Sequence, residues 1–293
     1  MNIIRGSIVA LITPFKEDGS INFDKLGELI EWHIAKKTDA ILILGTTSES
    51  PTMSHEEDNE ICKFTVDLVN KRVPVIASSG SNCTQTVIEK SLSFQSLGAD
   101  ALLTITPYYN KANTEGMYHH FADVADIVDI PMILYNVPGR TGCGISVDVL
   151  ERLAVHPKII GIKEASGDMS YMAKIARLAN DNFAIYSGND DIIVPILSMG
   201  GSGVISVLAN IMPEETHDLV MDYLNGDVIP ARDAQIKYLN LINDLFIEVN
   251  PIPVKEAMNL MGMGVGGYRL PLYPMAEANR NILRAEMERV GLI

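Results

Sequence analysis

The feature that most limits how this chain can fold is a rhythm. Short apolar runs lie at Ser7–Ile12, Ala40–Leu44, Pro74–Ala77, Ala101–Ile105, Pro131–Tyr135, Ile159–Lys163, Phe183–Tyr186 and Gly203–Val207. Longer amphipathic segments alternate with them, at Phe23–Lys36, His55–Asn70, Thr84–Leu97, Glu115–Val128, Val147–Ala154, Tyr171–Ala179, Asp191–Met199 and Glu214–Leu224. Nearly all-apolar runs suit parallel strands buried on both faces. Repeated strand–helix units in regular spacing predict a closed (β/α)8 TIM barrel, α/β in class, rather than an open doubly wound sheet. Local signals agree. Ser54 followed by Glu57 predicts a capping box, and Gly98 and Gly200 mark tight helix-to-strand links.

After about Gly226 the strand-like runs cease, and Ala231–Val249, Pro253–Met261 and Pro274–Arg289 read as helices. The expected division is a barrel over 1–225 and a C-terminal helical extension over 226–293. No low-complexity linker separates them, so the extension is expected to pack on the barrel.

Composition narrows the function. A net charge of −14 repels phosphate backbones, so nucleic acid is not an expected partner, and an anionic substrate must meet a locally positive site. Cys62, Cys83 and Cys143 are far apart and form no C-x-x-C, which argues against a disulfide framework or a cysteine zinc site. That usage suits a reducing cytosol. The apolar run Ser7–Thr13 is too short for a signal-peptide core and stops at Pro14, and no stretch reaches the length of a membrane helix. The expectation is a soluble, cytoplasmic protein with no membrane partner.

Active sites of such barrels lie at the C-terminal ends of the strands. The sixth run ends in Gly161-Ile162-Lys163-Glu164-Ala165-Ser166-Gly167, and a lysine is out of place in a buried strand. Gly161, Lys163 and Ala165 share one face, which leaves room around the amine. Burial disfavours the charged form, and a neutral amine in a dry pocket can form a Schiff base with a carbonyl. A lysine that snorkels to solvent or pairs with Glu164 is equally open at this point.

Other strand ends add candidates. Gly45-Thr46-Thr47-Ser48-Glu49-Ser50 could hold a carboxylate or be an ordinary Ser/Thr-rich turn. Tyr108 and Tyr109 after the fourth run read as packing or an interface patch. Tyr135 neighbours Lys163 across two strands and could shuttle protons. The Pro138-Gly139 turn would lift Arg140 above Tyr135, where a guanidinium suits a carboxylate; a solvated surface charge is the plain alternative. Asp190 and Asp191 read as helix N-caps rather than a metal pair. Gly262–Gly267 lacks the preceding strand of a nucleotide loop, and adjacent His119 and His120 cannot chelate together.

Five stretches are specific as a set and occur in order. They are Gly45-Thr46-Thr47, Thr106-Pro107-Tyr108-Tyr109-Asn110, Tyr135-Asn136-Val137-Pro138-Gly139-Arg140-Thr141-Gly142, Gly161–Gly167 and Asn250-Pro251-Ile252-Pro253-Val254-Lys255. The set resembles the dihydrodipicolinate synthase family, within the pyruvate-dependent class I aldolases. The likeness spans essentially the whole chain, including Arg269-Leu270-Pro271.

The resemblance implies a lyase that condenses pyruvate with L-aspartate 4-semialdehyde in the diaminopimelate route to lysine. Lys163 would carry the Schiff base, so no metal or nucleotide cofactor is implied. Thr46, Tyr135 and a Tyr109 lent by a partner subunit would form a proton relay. Thr47 would hold the pyruvate carboxylate and Arg140 that of the semialdehyde, with Gly188 and Ile205 lining the pocket through their backbone. A tetramer of two tight dimers is the implied assembly. An N-acetylneuraminate lyase shares the lysine and the strand-five tyrosine, but Arg140 in Gly139-Arg140-Thr141-Gly142 and Tyr109 favour the synthase. A barrel that only binds a metabolite is the other alternative.

The pattern is departed from in places. Ser48 stands where glycine is usual, and Ser78-Ser79-Gly80 replaces Gly-Thr-Gly; serine would strain either turn if φ there is positive. Ser50, His55, Asn82 and Tyr108 match positions that bind feedback lysine in sensitive relatives. Thr86 replaces the carboxylate that accepts the effector's ammonium, and Asp58 replaces a histidine. Insensitivity to lysine is therefore expected.

Overall fold

The computed structural model describes residues 3–293. Eight parallel strands close in sequence order into a barrel: β1 Gly6–Ala10, β2 Ala40–Ile43, β3 Val75–Ser78, β4 Ala101–Ile105, β5 Met132–Asn136, β6 Ile159–Glu164, β7 Ala184–Ser187 and β8 Gly203–Ser206. Around them run α1 Phe23–Ala35, α2 His55–Val69, α3 Thr84–Ser96, α4 Thr114–Ile127, α5 Pro138–Thr141, α6 Val147–Ala154, α7 Met169–Ile175, α8 Ile193–Ser198 and α9 Pro213–Asn225. Helices α10 Val228–Asp244, α11 Ile252–Leu260 and α12 Glu277–Val290 complete the chain. No helix of the described residues is long and apolar enough to cross a membrane.

Strand alternation divides the core in two. Ile8, Leu42, Ile76, Leu103, Ile133 and Tyr186 point inward and fill the barrel. Val9, Ile41, Ile43, Leu102, Leu134 and Ile162 point outward beneath the helices. All of these are essentially inaccessible to solvent, so each strand is apolar on both faces.

The boundaries differ from the sequence reading for identifiable reasons. β1 stops just after Ala10: Leu11 N makes the last bond to β2, donating to Leu42 O, and the next amide, Ile12 N, turns to the side chain of Asn210. The Pro138-Gly139 pair opens the one-turn helix α5, closed by Gly142 at φ 71°. α10 is shifted towards the N-terminus of the expected span, and α12 starts later than Pro274. The Ser54–Glu57 capping box forms, and Gly98 and Gly200 adopt φ 94° and 90°.

One irregularity decides where the chemistry points. Met132 pairs with Ile159, but Ile133 pairs with Gly161, so β6 carries one extra residue, Ile160, against β5. Beyond the slip, Tyr135 faces Lys163 and Asn136 faces Glu164. Without it, Ile162 would face Tyr135 and Lys163 would turn outward.

Candidate active site

At the C-terminal mouth of the barrel a cavity of about 70 Å³ is lined by Thr46, Thr47, Tyr135, Arg140, Lys163 and Gly188, among others. A water's share of liquid volume is about 30 Å³, so the space suits a molecule of a few heavy atoms. A larger groove of about 380 Å³ opens between Arg5, Ile160 and Asn182, but the reactive groups named above do not line it.

Lys163 is 6% exposed. Its Nζ lies 4.4 Å from the centre of the Tyr135 ring, and among the described residues no carboxylate lies within ion-pairing distance of it. Glu164 does not pair with it; that side chain accepts from Asn136 Nδ2 at 2.7 Å and from Ser166 N at 2.6 Å. Burial lowers the Lys163 pKa to about 8; the Asp190 carboxylate opposes this and the Arg140 charge adds to it. Snorkelling is thereby ruled out. Burial raises the Tyr135 phenol, while Arg140 and the Thr46 hydroxyl pull it back down. Gly188 is required by close approach: a Cβ there would sit 2.6 Å from Ala165 Cβ and 3.1 Å from Lys163 Cγ.

The Thr46–Thr47 loop is held from two sides. Leu44 and Glu49 bracket it at φ 61° and 59°, a conformation uncommon for such side chains. Thr47 Oγ1 accepts from Asn250 Nδ2 at 2.9 Å. Glu49 is fully buried and pairs with the equally buried Lys255 at 2.8 Å. The Lys255 ammonium also donates to the carbonyls of Thr13 and Gly267, and Glu49 Oε2 accepts from Arg269 N. Two buried lysines thus differ in kind: Lys255 is saturated with partners, and Lys163 faces a cavity.

The strain considered at Ser48 and Ser78 does not arise, because neither adopts positive φ. Ser48 Oγ donates to Leu11 O at 2.6 Å and accepts from Gly45 N at 3.2 Å, so the serine adds hydrogen bonds that a glycine could not. Ser79 joins a hydroxyl chain with Ser91 and Thr104.

Other expected residues fall differently. Arg140 is exposed at the rim, on α5. Tyr109 is 91% exposed at φ 70° and does not line this chain's cavity. Ile205 packs inside the barrel, and Val207 is the residue near the end of β8 that reaches the cavity. Asp190 does not cap its own helical turn; its Oδ2 accepts from Val207 N and Leu208 N, which ties the end of β7 to that of β8. Among the described residues no cluster of three or more His, Cys, Asp or Glu side chains could hold a metal ion. Sequence reasoning gave no role to Asn250 or Phe246, both of which line the cavity. Asn250 lies in one of the five quoted stretches, but its partner Thr47 is far away in sequence and nothing local links them.

The Dihydrodipicolinate synthetase family matches residues 3–290. The chain belongs to this family. It is 55% identical over 291 residues to a 4-hydroxy-tetrahydrodipicolinate synthase of Clostridium perfringens, covering 99% of this chain and 100% of that one. The solved dihydrodipicolinate synthase of Aquifex aeolicus superposes with a TM-score of 0.96 at 42% identity, covering 98% of each chain. A monomeric dihydrodipicolinate synthase variant superposes equally well, with a TM-score of 0.96 at 36% identity over 99% of this chain and 98% of that one. Family membership therefore does not fix the oligomeric state.

Proposed function

We propose that Lys163 is the Schiff-base lysine of a 4-hydroxy-tetrahydrodipicolinate synthase. The enzyme is a lyase that condenses pyruvate with L-aspartate 4-semialdehyde and needs no external cofactor. The observation that carries the residue assignment is the pairing of a buried, partner-free amine with a phenol on the adjacent strand.

In this reading Nζ of neutral Lys163 attacks C2 of pyruvate. The carbonyl oxygen leaves as water after protonation through Tyr135 and Thr46, and an iminium remains. Loss of a C3 proton gives the enamine, whose C3 attacks the aldehyde carbon of the second substrate. That substrate's amine then attacks C2, closes the ring and expels Lys163. Thr47, oriented by Asn250, holds the pyruvate carboxylate, and Arg140 receives the carboxylate of the semialdehyde. Gly188 gives the lysine room, while Ile205 supports the floor from below. Incubating the enzyme with pyruvate and either L-aspartate 4-semialdehyde or N-acetylmannosamine tests the assignment: turnover of the sugar alone would make it an N-acetylneuraminate lyase.

The exposed, left-handed Tyr109 is read as the relay member lent to a second copy, within a tetramer of two tight dimers in the cytoplasm. Tyr109→Phe should then lower kcat by about 10²–10⁴-fold, far more than it raises KM. Mixing it with an inactive Tyr135→Phe variant should restore some activity as subunits exchange. An unchanged kcat would remove Tyr109 from the mechanism. The boundary at Gly226 is retained as one of architecture, barrel over 1–225 and helices over 226–293. It does not separate functions, since Asn250 and Phe246 reach back to the cavity.

Lysine feedback should be weak or absent. Asp58 could replace the missing carboxylate only if it were free, and it is not: its Oδ2 pairs with Lys90 Nζ at 2.9 Å, and Ser50 Oγ donates to Oδ1 at 3.2 Å. A hydrogen bond to a charged group is worth roughly 1.5–3 kcal/mol, so Thr86 should cost lysine on the order of 10–150-fold in affinity. Initial rates titrated with L-lysine at subsaturating pyruvate check this, with Thr86→Glu alongside. Strong inhibition of the unaltered enzyme would refute it.

A further inference from the structure

Lys163 is next to a buried carboxylate that the reaction does not use. Glu164 is 2% exposed and points away from the cavity, and Asn136, its neighbour across β5 and β6, is equally buried. Their hydrogen bonds form a chain of fixed polarity. Glu164 Oε1 accepts from Ser166 N at 2.6 Å, and Oε2 accepts from Asn136 Nδ2 at 2.7 Å. Asn136 Oδ1 in turn accepts from Ile145 N at 3.0 Å. Ile145 is also held through its carbonyl, by Tyr171 Oη at 2.8 Å. Both Glu164 oxygens accept from N–H groups, so the Asn136 amide turns its nitrogen to Glu164 and its oxygen to Ile145 N, and that orientation makes the Ile145 contact possible.

The segment closed by this chain carries Arg140. It leaves β5 at Val137, passes through α5, and returns at Ile145 directly onto the side chain of Asn136. Arg140 is exposed, and no carboxylate of the described residues pairs with it, so its place at the rim depends on how firmly the ends of its arm are held. The far end of the same carboxylate fixes the turn after Lys163.

We propose that Glu164 and Asn136 form a polarity-ordered clamp that positions the Arg140 arm, making both of them specificity-determining positioning residues for the second substrate. The inference rests on the reading of Arg140 as the receptor for the semialdehyde carboxylate.

Glu164→Gln separates the two ends of the clamp. The glutamine oxygen still accepts from Ser166 N, but its amide now opposes the amide of Asn136. Turning Asn136 over relieves that conflict only by setting its amide against Ile145 N. Asn136→Asp alone sets two carboxylates face to face. The double variant Asn136→Asp/Glu164→Gln restores a complete chain in reversed order: the new carboxylate accepts from Ile145 N and from the amide of the new glutamine.

The test is steady-state kinetics of both single variants, the double variant and Arg140→Ala, with each substrate varied, together with the rate of borohydride trapping by pyruvate alone. KM for L-aspartate 4-semialdehyde should rise about tenfold or more in Glu164→Gln. KM for pyruvate and the trapping rate should stay within about twofold, and the double variant should recover most of the loss. If a single variant fails to fold, the double variant still decides, because only a clamp predicts that it folds with near-normal semialdehyde KM. A semialdehyde KM that is unchanged in Glu164→Gln while Arg140→Ala raises it would overturn the clamp. So would equal losses for both substrates, or a double variant no better than the singles. An unchanged KM in Arg140→Ala would instead refute the reading of Arg140.

Discussion

Lys163→Met should be inactive and, at neutral pH, more stable than the unaltered enzyme. Without the amine no imine forms, so borohydride with pyruvate should leave no adduct and turnover should fall by at least ~10³-fold. The stability gain follows from linkage. Burial lowers the Lys163 pKa from 10.5 to about 8, which is a penalty of roughly 3 kcal/mol on its charged form. Below pH 8 the lysine is protonated in both the folded and unfolded states, and the whole penalty applies. Between about 8 and 10.5 the unfolded chain binds more protons than the folded one, so stability rises with pH. Above that window the lysine is neutral in both states and the penalty is gone. Methionine carries no such cost, so the stability gap between variant and parent should be widest at pH 7 and close as pH passes through the window. Urea unfolding across pH 6–10 measures it, and a variant less stable than the parent at pH 7 would contradict the argument. In the parent, the rate of pyruvate trapping should climb with pH and level off above about 8, as the neutral amine becomes the major form.

Lys255→Met should do the opposite. Lys255 and Glu49 both have wholly inaccessible side chains. Removing one member of a buried ion pair leaves an uncompensated charge and costs about 3–5 kcal/mol. The double variant Glu49→Gln/Lys255→Met removes both charges and should recover a large part of that loss. It should not recover all of it, because the carbonyls of Thr13 and Gly267 lose their donor. The single variant should also raise KM for pyruvate, since Glu49 ends the loop that presents Thr46 and Thr47. Urea midpoints of the two variants test the ordering. A double variant less stable than the single would show that the pair is worth more than its desolvation.

The contrast between these lysines marks how far the sequence could be read. The barrel was legible because apolar runs and amphipathic segments alternate with a regular period, and that period is a local property. Lys163 stood out because a cation interrupts an apolar strand. Lys255 lies on a helix, where a lysine is unremarkable, and two of its three partners, Thr13 and Glu49, come from distant parts of the chain. The same distance hid Asn250 behind Thr47. Ser48 misled in a different way: glycine's usual place suggested positive φ, but the left-handed residues are its neighbours Leu44 and Glu49. Asp190 was read as a cap of its own turn, whereas it caps the segment after the adjacent strand.

Alternation told which residues of β6 share a face, but not which face that is. That choice rests on Ile160, the extra residue against β5. The proposed catalytic centre is therefore exposed to frame rather than to composition. Deleting Ile162, just beyond that slip, would change no reactive side chain, yet would set Lys163 opposite Leu134, out towards the helices, and Glu164 opposite Tyr135, into the barrel. In this strand a lost codon would do what no substitution of Ile162 could do: exchange the proposed nucleophile for an acid while every candidate residue remained in the chain.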